Sequence, residues 1–358
     1  MQLNSDIKWF ASSAALFLLL FATLFLHRYN RLYSDDAIQA DRTTVLYLHE
    51  TSRLEEVMYL LEKYGVLVDS DELVWAASIF GWKRFQTGRY ELDESLSYED
   101  FLSRLALGLQ DPGSVTIPPG IDIERFSSIL SNSLRADSSS ISELFAEDSQ
   151  LVAELGLDNG MALFSRMLPN TYQIYWTARP ERAVRRIFSE FERNVANRLE
   201  SEIEESGFLI DEVLTLASIV EWEARIPSEK PRISGLYLNR LNRNMRLQAD
   251  PTVIYIIGER RRLLYADYEI DHPYNTYQVP GLPPGPITNP DLSTIESVLN
   301  PEDHDYLFMV ATPEGGHAFN RTYQEHLSAS REWTEWLREQ LRIRDQLEQS
   351  QGSDSVPD

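Results

Sequence analysis

The segment DEVLTLASIVEWEAR, Asp211–Arg225, carries the carboxyl groups best suited to acid–base chemistry. Asp211 can cap a helix start. Val213 to Val220 holds no charge, so a helix through it is apolar nearly all round and belongs in a core. Glu221 closes that run. A carboxyl packed against apolar groups keeps its proton to higher pH, because burial disfavours the charged form. A carboxyl still protonated near neutrality is what a general acid requires. The spacing also has an ordinary reading, since Arg225 lies four residues on and Glu221–Arg225 equally fits a helix ion pair. Glu223 is two residues further, about 200° around the helix. The two cannot both face one cleft while the helix continues, which argues against a glycosidase built on this pair.

Two other segments carry candidate binding groups. In RLQADPTVIY, Arg246–Tyr255, Gln248 and Asp250 stand just ahead of Pro251 and begin a new element; Asp250 equally suits a helix cap. In HPYNTYQVPGLPPGPI, His272–Ile287, Tyr274 and Tyr277 offer flat apolar faces beside the polar groups of Asn275, Thr276 and Gln278. Sugars present matching features, C–H faces and hydroxyls. The prolines stiffen the loop and reduce the entropy lost on binding, although a structural Ω-loop would read the same way. Asn170, Thr171 and Tyr172 form a comparable group. The six histidines are scattered without metal-ligand spacing, so no metal is expected, and no nucleotide- or flavin-binding fingerprint calls for another cofactor. The absence of cysteine excludes thiolate catalysis and disulfides.

These groups need a scaffold, and 358 residues allow two folded units plus extras. A hydrophobic content of 43% and aromatic content of 11% are enough for real cores. The net charge of −23 repels a nucleic-acid backbone, which excludes nucleic acid as a partner. Only Lys8, Lys63, Lys83 and Lys230 are lysines, a bias that fits either a high-salt habitat or high genomic GC content.

Ile7–Leu26, IKWFASSAALFLLLFATLFL, spans about 30 Å as a helix, the thickness of a bilayer core. It is expected to be a retained anchor rather than a cleaved signal, because no small-residue cleavage site follows. Charges on its two sides, Lys8 against Arg28 and Arg31, do not set its direction. Residues 1–6 then form a short N-terminus, cytoplasmic where the body lies outside the membrane, and residues 27–41 a polar tether. Beyond it, Val45–Leu61 and Ser114–Leu130 repeat one pattern, a short alternating strand, a turn and an amphipathic helix. Helices are predicted over Asp71–Phe80 and Ser97–Leu109, with a strand at Gly88–Leu92. A small α+β module therefore occupies 42–112, and a larger mixed α+β domain 113–345. In the latter, Arg182–Ser201 reads as a surface helix, Tyr306–Val310 and Gly316–Phe319 as a hairpin, and Arg331–Asp345 as a last helix with Trp333 and Trp336 inward. Residues 346–358 read as a disordered tail.

Taken together, ASIVEWEA, NRLNRNMRLQADPTVIY, PYNTYQVPGLPPGPITNP and GGHAFNRTYQEH resemble, in order and spacing, the endolytic murein transglycosylases, the YceG-like or MltG-type family. The likeness covers roughly Val115 to His326. It implies a LysM-like identity for the 42–112 module and a catalytic role for 113–345. The first Glu of the family's ASI-x-E-x-E segment falls on Glu221, which the resemblance makes the catalytic residue. Its Gln and Asp fall on Gln248 and Asp250, and its Y-N-T-Y on Tyr274, Asn275, Thr276 and Tyr277; with Tyr172 and His317 these become the expected substrate-binding set. The sequence departs from the family at Trp222, where a basic residue is common, and in LPNTY, which stands for F-P-D-T-Y and leaves Asn170 without a transferred role.

The implied activity is cleavage of the MurNAc–GlcNAc β-1,4 bond to leave 1,6-anhydro ends, limiting nascent strand length. The implied setting is a single pass through the bacterial inner membrane, body outside, with glycan strands and cell-wall synthases as partners. Two rivals stand beside it: a muramidase that uses water and a second carboxylate, Asp250, and a membrane-tethered glycan-binding protein without activity.

Overall fold

The computed structural model describes residues 3–34, 37–40, 43–92 and 95–353. The chain divides into two compact units, one formed by 1–115 with 133–135 and 173–179, the other by 116–132, 136–172 and 180–358.

In the first unit, the apolar N-terminal segment forms a helix over Leu3–Tyr33. Its Lys8–Tyr33 portion is the one helix among the described residues long and apolar enough to cross a membrane. The expected tether at 27–41 is corrected in part: the helix runs on to Tyr33, and Ile38–Gln39 pairs with Leu67–Val68 and Ser95–Leu96. HRYNRLY contains no breaker, and its last turn is tied down. Leu32 is buried, Arg31 binds Glu72 through two hydrogen bonds of 2.9 and 2.6 Å, and its guanidinium lies 3.8 Å from the Trp75 ring. Residues 35, 36, 41 and 42 lie outside the described ones.

Strand Thr44–Leu48 then pairs antiparallel with Gly88–Leu92, Leu46 opposite Tyr90. Helices Leu54–Lys63 and Ser70–Phe80 come between the strands, and Tyr98–Leu107 follows. The alternation works as pleat geometry demands: Leu46, Leu48, Tyr90 and Leu92 all point into the core. The Asp69 carboxylate accepts from the N–H groups of Asp71 and Glu72, starting the second helix.

The repeated pattern recurs as strand Pro112–Ile117 and helix Ile123–Ser131, the latter capped by Asp122, which accepts from the Arg125 N–H at 2.7 Å. The centre of the second unit is helix Ile210–Glu223. Every residue from Val213 to Val220 is buried in it, as an apolar run without charge requires. Helices Lys230–Asn242, Asp250–Ile257 and Leu292–Leu299 surround it, and Ile233, Leu236, Leu247 and Ile295 share its core. Each such aliphatic side chain contributes roughly 1.5–3 kcal/mol of burial. The helix begins one residue before Asp211, so Asp211 is not its cap. Asp211 instead pairs with Arg166 at 2.7 Å, and Glu212 accepts from the Leu209 N–H.

The single helix expected over 182–201 is broken: Pro180–Phe191 passes into a π turn at Glu192–Ala196, and a short helix resumes at Glu200–Ser206. The hairpin pairs Phe308–Ala311 with His317–Asn320, Ala311 opposite His317. The last helix spans Tyr323–Ser353, overrunning its expected bounds at both ends. The stretch RIRDQLEQSQ consists mostly of strong helix formers with no Pro or Gly, so nothing stops the helix at 345. The remainder of the expected tail, 354–358, lies outside the described residues.

Candidate active site

A cleft of about 620 Å³ opens at the C-terminal end of the central helix. Glu223, Gln248, Asp250, Tyr277, Arg240 and His317 line it, with Trp333 and Trp336 along one wall. The helix ends at Glu223 itself, and Ala224 already has extended backbone, so the last side chain of the buried run is delivered to the cavity.

Glu223 is partly buried. Desolvation, with the neighbouring negative charge of Asp250, raises its carboxyl from the ordinary 4.5 to about 7, against the opposing pull of Arg225 and Arg240. Asp250 is the first residue of its helix, and its Oδ1 accepts the Tyr277 hydroxyl at 2.6 Å. The Tyr268 ring packs against Tyr277 with centroids 4.5 Å apart. Burial and the Asp250 charge hold both phenols protonated, Tyr268 up to about 12 and Tyr277 well above its usual range. The Asp250 carboxylate thus faces donors that do not ionise near neutral pH.

Gln248 has φ +52°, a left-handed conformation that a side-chain-bearing residue adopts at a cost. Its N–H donates to the Thr276 carbonyl at 3.1 Å and its Oε1 accepts from Arg240 at 3.2 Å. The buried Arg240 guanidinium also donates to the carbonyls of Leu247 at 2.7 Å and Leu307 at 2.6 Å. One fixed fork therefore joins the Gln248 turn to the hairpin. Across the cavity, His317 Nδ1 lies 2.8 Å from Glu229 Oε2, and the His317 backbone N–H donates to Glu229 Oε1 at 2.9 Å.

Glu221 is elsewhere, and the expectation that it faces the substrate groove is corrected. Its side chain is 8% exposed and meets Lys230, itself 6% exposed, with Nζ 3.3 and 3.4 Å from the two carboxylate oxygens. Oε2 also accepts the Asp291 N–H at 3.1 Å and the Thr294 hydroxyl. Glu221 thereby ties the central helix to the first turn of Leu292–Leu299, where the backbone N–H groups are free to bind it. Its partner is neither Arg225 nor a cleft group, and its oxygens are fully engaged. The rotation of about 200° between Glu221 and Glu223 separates a structural carboxylate from one that faces the cavity.

Four of the expected binding residues also lie off the cleft. Tyr172 is buried, its hydroxyl donating to the Leu168 carbonyl. Tyr274 packs against Tyr255 with ring centroids 4.9 Å apart. Asn275 is wholly buried; its Nδ2 donates to the carbonyls of Tyr268 and Ile270, and its Oδ1 accepts the Tyr277 N–H. Thr276 is wholly buried, its Oγ1 accepting the Ala249 N–H at 3.0 Å and lying 2.9 Å from Thr252 Oγ1. Asn275 and Thr276 shape the loop so that Tyr277 reaches Asp250. Thr276→Val removes a buried hydroxyl that serves two partners, so urea unfolding is expected to show a loss of about 1–3 kcal/mol; an unchanged midpoint would contradict that scaffold role.

Sequence reasoning passed over Glu223, Arg240 and Glu229. Glu223 had a signal, its place on the opposite face from Glu221. Arg240 had a weaker one, a lone charge in the otherwise uncharged run GLYLNRL. Glu229 had none, since its partner His317 is 88 residues away.

A family model described as the YceG-like family matches residues 46–332. The chain belongs to the YceG-like family. The matched span of this YceG-like chain contains the central helix, the Gln248 turn, the Tyr277 loop and the hairpin, whereas Trp333 and Trp336 stand just past its end. An endolytic murein transglycosylase of Bacillus subtilis is 27% identical over 310 residues, covering 82% of this chain and 85% of the relative. One from Streptococcus pneumoniae is 28% identical over 306 residues, covering 77% of this chain, which spans only 55% of that longer relative. The crystal structure of a YceG-like protein from Listeria monocytogenes superposes with a TM-score of 0.58 at 25% identity, covering 81% of this chain and 99% of the other.

Proposed function

We propose that this chain is an endolytic murein transglycosylase with Glu223, not Glu221, as its acid. The observation that carries the reading is a carboxyl raised to about 7 at the wall of a cleft. Glu223 gives its proton to the oxygen linking MurNAc to GlcNAc, and the C1–O bond breaks with oxocarbenium character at C1. The Asp250 carboxylate, held by the Tyr277 hydroxyl, lines the same cavity, where a carboxylate favours the developing positive charge. The C6 hydroxyl of the same MurNAc attacks C1 and loses its proton to a base, closing the 1,6-anhydro ring. No water enters the products, so the reaction is an elimination rather than a hydrolysis.

Digestion of uncrosslinked glycan strands by the full-length protein in detergent, followed by mass spectrometry, tests this. Anhydro-MurNAc ends are the expected product. The presence of Asp250 beside Glu223 favours one rival, a water-using muramidase with two carboxylates; predominantly reducing MurNAc ends would establish that rival. Complete inactivity on such strands would leave a glycan-binding protein. The starting state needs protonated Glu223, so kcat/KM is expected to fall as pH rises through about 7, tenfold per further unit. A flat profile between pH 6 and 9 would remove Glu223 from the acid role.

The apolar N-terminal helix supports a single span of the inner membrane with the body outside, where murein lies. Two helices between paired outer strands over residues 44–92, with the two-residue strand Leu67–Val68 between the helices, support a LysM-like module, which suits a glycan partner. Association with cell-wall synthases belongs to the same proposal and fits an enzyme that limits nascent strand length.

A further inference from the structure

One titratable group of the cleft has no part in the scheme so far. His317 lines the cavity, and its side chain is 11% exposed. Glu229 Oε2 is 2.8 Å from Nδ1, and Oε1 holds the backbone N–H of the same residue at 2.9 Å. A carboxylate only accepts, so Nδ1 carries the hydrogen, and the neutral form of the ring has its lone pair on Nε2. One carboxylate thus holds both the ring and the backbone of His317, and Nε2 has no hydrogen bond among the described residues.

The hairpin backbone is shaped for this pairing. A Cβ at Gly316 would come within 2.6 Å of Glu229 Oε1 and 3.0 Å of Ile226 Cδ1. Glycine there is what lets the carboxylate reach the backbone of His317. A histidine oriented through one ring nitrogen by a partly buried carboxylate, on the lining of a cavity, is the arrangement that activates a hydroxyl.

We infer that His317, positioned by Glu229, is the base that takes the proton from the MurNAc C6 hydroxyl, leaving Glu223 to act as acid alone. This rests on the transglycosylase reading and deepens it. The proton balance closes: Glu223 gives H⁺ to the departing GlcNAc oxygen, the C1–O bond breaks and the C1–O6 bond forms. The O6 proton passes to His317 Nε2. Solvent then removes a proton from His317 and returns one to Glu223, with no net consumption of water.

The division of labour has a signature in the products. Without an activated C6 hydroxyl, the oxocarbenium centre is open to water, and reducing ends appear in place of anhydro ends. His317→Gln in the full-length protein is expected to lower the anhydro-to-reducing ratio at least tenfold along with the rate. Glu229→Gln and Gly316→Ala, which leave the imidazole present but loosely held, should shift the ratio in the same direction by less. Circular dichroism would confirm that each variant is folded. If the rate falls while the ratio stays at the wild-type value in both His317→Gln and Glu229→Gln, the pair only binds or braces, and the inference is overturned. Wild-type protein that yields only reducing ends would instead sink the transglycosylase reading itself, so the two failures are distinguishable.

Discussion

Glu223→Gln is expected to reduce glycan-strand cleavage by about 10²–10⁴-fold while the protein stays folded. The amide keeps the volume of the side chain and removes the transferable proton. Stability should move the other way. In the folded state the carboxyl is raised from 4.5 to about 7, so the unfolded chain releases its proton first. Folding stability linked to this group is therefore full below about pH 4.5 and is lost as pH rises through about 7. A shift of that size corresponds to roughly 3 kcal/mol. Glu223→Gln should accordingly be more resistant to urea than wild type at pH 8, and the difference should shrink toward pH 5. An inactive variant that is also more stable at high pH is the behaviour of a side chain kept for chemistry. Strand cleavage by Glu223→Gln at the wild-type rate would falsify the assignment.

Glu221→Ala is expected to fail in the opposite manner, by weakening the fold. It removes one of two carboxylates that face the buried Lys230 ammonium, leaves the Asp291 N–H without its acceptor, and leaves the Thr294 hydroxyl only Asp291 Oδ1 at 2.9 Å. Breaking a buried pair by deleting one partner costs about 3–5 kcal/mol, because an uncompensated charge remains. Asp291, 3.0 Å from Lys230, offsets part of this, so the lower end applies. Urea unfolding measures the loss. Any drop in activity should parallel the drop in folded protein, and the pH profile of the folded fraction should match wild type. A stable Glu221→Ala protein without activity would restore Glu221 as the acid and displace Glu223.

The contrast between these two residues marks how far the chain can be read without coordinates. The periodicity of Val213–Val220 identified a buried helix, and the charge-free run placed a carboxyl at its end. The helical rotation showed that only one of Glu221 and Glu223 could face a given cavity. Which one does so depends on Lys230, Asp291 and Thr294, brought in from 9, 70 and 73 residues away. The tyrosine loop tells the same story. Its composition announced a stiff polar segment, but Asn275 and Thr276 turned inward to satisfy backbone groups that burial would otherwise strand. Only Tyr277 of that quartet reaches the cleft.

By itself, the order of residues determined most of the elements, the apolar N-terminal helix, the repeated strand–turn–helix unit and the family, because these follow from local periodicity and short ordered motifs. The tertiary structure decided the placements: Glu223 rather than Glu221 on the cleft, His317 bound to Glu229, Arg240 clasping the Gln248 turn. Proton affinity and hydrogen-bond satisfaction are set by whatever lies within a few ångströms, and in a folded chain most of those neighbours are remote in sequence.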